Sequence, residues 1–151
     1  MKNLLISADR DAIISRLNVL GSKSNRRWGK MTVEQVFPHM ADPFRVHLGE
    51  KKATQVKSPL YSSFLGHLVA TVLPWPKSAF TAKEYLPPTG MTNPVSIDHD
   101  RQQLILLIHR FVNLNPQKSI PPSPVFGQLS LKQLGRLYWR HMDHHLKQFG
   151  H

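Results

Sequence analysis

The sequence contains no cysteine, which excludes disulfide bonds and thiolate metal ligands. Any metal ion must therefore be held by nitrogen and oxygen atoms, and the nine histidines are the main source of nitrogen ligands. A chain without cysteine also fits a reducing compartment. Acidic residues are scarce too, and nine Asp and Glu in the whole chain argue against catalysis by a pair of carboxylates.

Long apolar runs are also missing. The longest run, 64–75, is interrupted by His67 and Pro74 and is shorter than the roughly 20 residues of a membrane span. The apolar stretch near the N-terminus is too short for the core of a secretory signal peptide. We therefore expect a cytoplasmic protein that does not span a membrane.

Positive charge is abundant, with 20 Lys and Arg and a formal net charge of +11. Such a balance attracts anions, which include nucleic acids, an anionic membrane surface and small acidic substrates. The basic residues are nevertheless scattered, and no sequence motif of a zinc finger or an RNA-recognition domain is present. Solubility and a general attraction for anions is therefore the simpler interpretation of the charge. Among specific partners, a small anionic molecule is favoured over nucleic acid, and no membrane partner is expected.

The hydrophobic pattern predicts an all-α protein, and 151 residues fit a single domain, residues 1–151. Ser7 and Gly21 are plausible caps of the first helix, and Thr32 with Gln35 forms a capping-box pattern at the second. Two Pro-rich connections, 74–94 and 115–127, separate the later helices. The five predicted helices span about 8–20, 32–48, 59–73, 96–114 and 130–149.

The last helix carries the most informative pattern. Its predicted inward stripe begins apolar and then turns to histidine, with His141 and His145 one helical turn apart. Residues at i and i+4 lie on the same face of a helix, so both imidazoles can reach one metal ion. His144 offers an alternative pair with His141, and ordinary hydrogen-bonded histidines are the simpler interpretation of the spacing alone. The stripe consists of Leu131, Leu134, Tyr138, His141, His145 and Gln148.

Two blocks of sequence resemble the DinB/YfiT-like superfamily of helical-bundle proteins, and a bacterial branch within it. The first block is WGKMTVEQ at 28–35, followed by His39. The second block begins with FGQL at 126–129 and ends with HMDHHLKQFG at 141–150. The resemblance extends over nearly the whole chain, and these two blocks carry it.

The resemblance implies a DinB-like four-helix bundle, here with an additional short helix and long Pro-rich connections. It also implies a metal site made of His39 on the second helix and the pair His141 and His145 on the last. Pro38 and Pro43 lie inside the second helix, so the helix is expected to bend near His39 or to start later. Side chains placed to orient the ligands or a substrate are Gln35, Asp143 and Gln148.

Three histidines suit a divalent metal, with zinc or nickel favoured and iron or copper also compatible. The expected function is that of a metal-dependent enzyme acting on a small molecule, as a thiol-dependent transferase or isomerase or as a hydrolase. A low-molecular-weight thiol is thus one expected partner. A metal- or ligand-binding bundle without catalysis and a basic module for nucleic acid or anions are the alternatives, and a homodimer is one option for the assembly.

Overall fold

The computed structural model describes residues 1–54, 63–73, 75, 85–86, 90–115 and 119–151. These residues form five helices and no β-strand, which confirms the all-α prediction. None of these helices combines the length and the apolar character needed to cross a membrane. The helices are α1 (Ser7–Val19), α2 (Val33–His47), α3 (Phe64–Thr71), α4 (Ile97–Val112) and α5 (Leu131–Gln148).

The four longer helices form a closed ring of packed neighbours. α1 contacts α5, α5 contacts α2, α2 contacts α4, and α4 contacts α1, with the α2–α4 contact the most extensive. The fifth helix, α3, has only eight residues and packs on α5. This arrangement is a helical bundle in which α2 and α5 face each other, and the predicted ligands lie on these two helices.

An aromatic cluster in the core fixes α5 against α2 and α4. Phe44 of α2 lies 5.5 Å from Phe111 of α4 and 4.2 Å from Tyr138 of α5, measured between ring centroids. All three side chains are fully or almost fully buried. Buried aromatic pairs of this kind add roughly 0.5–1.5 kcal/mol to the stabilisation from burial alone. The cluster therefore fixes the position of α5 relative to α2, and its α5 member, Tyr138, lies one turn before His141.

The start of α2 follows the predicted capping box. The Thr32 side chain accepts a hydrogen bond from the Gln35 backbone N–H, and the Gln35 side chain accepts one from the Thr32 N–H. The helix then continues through Pro38 and Pro43, although each proline removes one helical N–H donor. The later start suggested by the two prolines is therefore wrong.

Two local predictions for α1 are also wrong. Ser7 is the first residue of the helix, and the N-cap is Ile6, whose side chain makes no capping hydrogen bond. Gly21 does not adopt the left-handed conformation, because the chain leaves the helix through an extended Leu20. Without a left-handed residue after the helix, the glycine cap that Gly21 suggested cannot form.

The third helix is shorter than the predicted 59–73. It begins at Phe64 after Ser63, whose side chain accepts a hydrogen bond from the Gly66 N–H. Residues 59–62 lie outside the described residues, as does most of the connection predicted at 74–94.

Candidate metal centre

α5 presents two histidines to the bundle. A capping box of Ser130 and Gln133 starts the helix, so its phase is set well before the histidines are reached. His141 and His145 then follow one turn apart, and their Nε2 atoms lie 3.0 Å from each other. The predicted face of α5 is thus the face that turns inward.

α2 supplies the third histidine. His39 is 1% exposed, and its Nε2 atom lies 3.1 Å from Nε2 of His141. One ligand nitrogen from each of His39, His141 and His145 lies within 4.8 Å of the other two. The structure therefore brings together the three residues that the sequence and the resemblance nominated, and this group can hold a metal ion.

Two hydrogen bonds from outside the triad fix which nitrogen faces inward. His39 Nδ1 donates a hydrogen bond to the backbone carbonyl of Tyr85, and His145 Nδ1 donates one to Oε1 of Gln148. The donor–acceptor distance is 2.8 Å in both. A neutral imidazole carries one proton, so donation from Nδ1 leaves Nε2 as a lone-pair acceptor. His39 and His145 therefore both direct a lone pair at His141.

A shared metal ion would satisfy the three imidazoles better than hydrogen bonds among them can. His141 Nε2 faces two acceptor nitrogens but carries at most one proton, so one close nitrogen–nitrogen contact has no hydrogen between the atoms. A buried polar atom left unsatisfied costs roughly 1–3 kcal/mol. A single cation bound by three neutral imidazoles would satisfy all three lone pairs together.

Burial keeps these imidazoles uncharged. Desolvation lowers the pKa of His39 to about 4, and it lowers the pKa of His141 and His145 well below 6.5. The neighbouring histidines act in the same direction, because a positive charge on one disfavours a charge on the next. Neutral imidazole is the form that binds metal, so the triad is competent at neutral pH.

The lowered pKa values predict that acid destabilises the metal-free protein. Unfolding restores the ordinary histidine pKa of about 6.5, so below that pH the unfolded chain binds more protons than the folded one. We expect the free energy of unfolding, measured by urea titration with chelator present, to fall as the pH drops from 7.5 to 4.5. His39 alone contributes roughly 2–3 kcal/mol over this range. His39→Gln should make the free energy of unfolding less dependent on pH. A pH dependence identical to that of the unchanged protein would contradict the prediction.

A buried carboxylate anchors α2 close to His39. Asp42 is fully buried and accepts hydrogen bonds from the N–H and hydroxyl of Thr92, at 2.9 and 2.6 Å. Arg45 and Lys51 pair with the same carboxylate at 2.9 and 2.5 Å. Because Lys51 also donates to the carbonyl of Gly90, this network ties α2 to the segment before α4. It holds the helix that carries His39.

Aromatic side chains border the triad on the α5 side. Trp75 lies 6.1 Å from His141 and 6.0 Å from His144, and Trp28 lies 6.3 Å from His144, between ring centroids. Arg140 stacks over Trp75 at 5.8 Å. His144 is partly exposed and does not belong to the three-histidine group found among the described residues. It therefore borders the site, and the structure does not favour it as a replacement ligand.

The three side chains predicted to orient the ligands or a substrate have different contacts. Gln148 contacts His145, as described above. Gln35 is used in the capping box at the start of α2. Asp143 pairs with Arg16 at 2.8 Å and with Lys147 at 2.7 Å. Of the three, Gln148 is thus the side chain that contacts a ligand.

Sequence reasoning missed several residues around the site. The Tyr85 carbonyl has no sequence signal, because every residue has a carbonyl group. His47 of α2 is a second residue that sequence reasoning missed. It is buried, and its Nδ1 contacts both the Pro43 carbonyl, at 2.8 Å, and the Tyr138 hydroxyl. Its position on the buried face of α2 is the signal that could have shown this.

A family model described as "Protein of unknown function (DUF1569)" matches residues 2–151. The chain belongs to the DUF1569 family. Comparisons with curated proteins and with solved structures gave no match. The match covers all three histidines, so both helices that form the candidate centre lie within the DUF1569 region.

Proposed function

We propose that this DUF1569 protein binds one divalent metal ion through His39, His141 and His145. The observation that carries the proposal is the convergence of three Nε2 atoms, two of them fixed as acceptors by hydrogen bonds at Nδ1. The resemblance to the DinB/YfiT-like superfamily supports the same ligand set. Imidazole ligands suit zinc and nickel, and they also suit iron and copper.

We further propose that the centre serves an enzyme acting on a small molecule. A zinc-like ion with an open coordination position supplies Lewis acidity toward water or a thiol. The protein would therefore be a thiol-dependent transferase or isomerase, or a hydrolase. Because the three ligands are uncharged, they would leave the full double charge of a bound ion at the site.

An anionic substrate fits the charge of the surroundings. The chain carries a formal net charge of +11, and the nearby carboxylate of Asp143 is already paired with Arg16 and Lys147. A positive field in a partly buried site raises the local concentration of anions and their rate of association. A thiol carrying carboxylates combines both expected properties.

The absence of cysteine makes the decisive experiment simple. Untagged protein, purified without a metal column, is analysed for its metal content and then incubated with glutathione and the model electrophile 1-chloro-2,4-dinitrobenzene. Thiol loss can be measured directly, because the protein contributes no thiol of its own. A parallel assay follows the hydrolysis of p-nitrophenyl acetate. Chelator-treated protein is the control for both reactions.

We expect close to one metal ion per chain and a reaction that stops on chelation and returns with the metal. Bound metal whose removal lowers stability, without turnover of either substrate, would instead support the non-catalytic bundle. No metal after reconstitution would overturn the proposal. Salt-sensitive binding of DNA would then favour the basic anion-binding alternative.

A further inference from the structure

Gln148 occupies a constrained position beside the triad. The residue is 8% exposed, and its Oε1 accepts the hydrogen bond from His145 Nδ1. The other end of the same amide faces Gly29, where a Cβ atom would lie only 2.7 Å from Gln148 Nε2. The amide group is therefore held between a metal-ligand candidate on one side and a glycine on the other.

Gly29 belongs to a segment that we call the clasp, residues 21–31, which runs along the end of α5. The backbone N–H of Arg27 donates a hydrogen bond to the backbone carbonyl of Gln148, with a donor–acceptor distance of 2.6 Å. Ser24 Oγ and His151 Nε2 lie 2.8 Å apart, which joins the clasp to the chain just beyond α5. These contacts bring the backbone of the clasp close to the Gln148 side chain.

The backbone of Gly29 adopts a φ of +82°, a conformation that side-chain-bearing residues rarely adopt. The lack of a Cβ therefore has two effects at this position. It permits the backbone turn, and it leaves room for the Gln148 amide. Any larger residue would have to displace the amide, because that amide is the flexible partner in the contact.

We propose that Gln148, held in place by Gly29 of the clasp, is a positioning residue that sets the tautomer of His145 and thereby the metal affinity of the site. As far as metal affinity is concerned, the inference rests on the function proposed above. Without an acceptor at Nδ1, His145 can carry its proton on Nε2 and donate it to His141 Nε2, 3.0 Å away. That proton would occupy the direction in which the ligand lone pair must point.

The first part of the test uses metal-free protein. Two-dimensional ¹H–¹⁵N spectra of the imidazoles at pH 7.5 distinguish an Nδ1–H from an Nε2–H ring. We expect His145 to be Nδ1–H in the unchanged protein, and to shift toward Nε2–H in Gln148→Leu and in Gly29→Ala. Gln148→Glu keeps an acceptor oxygen at the same position and should preserve the Nδ1–H form.

Gly49 provides a matched control for Gly29. Its φ is +80°, so an alanine there meets the same backbone strain, but its Cβ would have no atom within 4 Å. Gly49→Ala should therefore leave the His145 tautomer unchanged. Combining Gly29→Ala with Gln148→Leu should give no further shift beyond Gln148→Leu alone, since the displaced amide is already absent.

The second part measures zinc affinity by competition with a chromogenic chelator. Loss of a hydrogen-bond partner of a ligating histidine typically weakens metal binding about 10- to 100-fold. We expect this loss in Gln148→Leu and Gly29→Ala, and near-normal affinity in Gln148→Glu and Gly49→Ala. Thermal unfolding of every metal-free variant shows whether a weakened site has merely lost its fold.

The two parts separate failure of this inference from failure of the proposed function. An unchanged His145 tautomer in Gln148→Leu would overturn the inference, whatever the metal does. A changed tautomer with unchanged zinc affinity would overturn its link to metal binding. If the unchanged protein binds no zinc, the proposed function fails, and the tautomer shift alone decides the positioning role of Gln148.

Discussion

His145→Ala is expected to weaken binding of the metal ion by more than about 100-fold and to leave no stoichiometric metal after dialysis. The variant removes one of three ligands. Its effect should therefore exceed the roughly 10- to 100-fold loss of affinity that is typical when a ligand loses only its hydrogen-bond partner. His141→Ala should behave in the same way, since its Nε2 lies 3.1 Å from that of His39 and 3.0 Å from that of His145. The measurement is elemental analysis of each purified variant, with circular dichroism to verify that the bundle is folded.

His144→Ala is the matched control for this experiment. His144 is the neighbour of His145 on the same helix and lies close to Trp28 and Trp75, but it is outside the three-histidine group. It should retain about as much metal as the unchanged protein. Full metal content in both His141→Ala and His145→Ala would disprove the proposed centre.

Asp42→Asn is expected to lower the free energy of unfolding by about 3 kcal/mol. The substitution removes a fully buried charge and leaves the mostly buried ends of Arg45 and Lys51 without their counter-ion. Removing one partner of a buried ion pair typically costs roughly 3–5 kcal/mol, and asparagine can keep part of the hydrogen bonding to Thr92. Urea-induced unfolding at pH 7.5 measures the change.

Asp98→Asn offers a closely matched comparison. Asp98 forms the same type of pair, with an arginine three residues later at 2.6 Å, but its side chain is 83% exposed. Exposed ion pairs contribute at most about 1 kcal/mol, so this variant should remain close to the unchanged protein. If both variants lost equal stability, burial of Asp42 would not be the cause of its effect.

The sequence was most informative where local physics decides the structure. The capping box at Thr32 and the histidine spacing on α5 both depend on residues within a few positions of each other. Such signals survive folding because no distant contact is needed to produce them. They predicted the start of α2 and the inward face of α5.

The partners of the site residues could not be predicted in this way. His39 meets the Tyr85 carbonyl across 46 positions of chain, and Asp42 meets Thr92 across 50. Proline-containing connections separate these residues, and no periodic pattern fixes the path of the chain between them. The length of the intervening chain, rather than weak chemistry, is thus the reason why the sequence did not reveal them.

At α1, tertiary structure overrides the local signals. Ser7 and Gly21 are favourable capping residues by type, but the chain enters through Ile6 and leaves through an extended Leu20. The clasp that follows is drawn along α5 by the bonds at Arg27 and Ser24. A path determined by distant contacts leaves no need for a left-handed turn at Gly21.

The spacing of the three histidines along the chain has a consequence for biosynthesis. His39 and His141 are 102 positions apart, so the site cannot form until α5 has been made. At the usual elongation rate of about 5–20 residues per second, α2 exists for roughly 5–20 seconds before its partner histidines are translated. During that interval the nascent chain offers a metal ion at most one of the three ligands. A metal ion could therefore find all three ligands only after α5 has been synthesised.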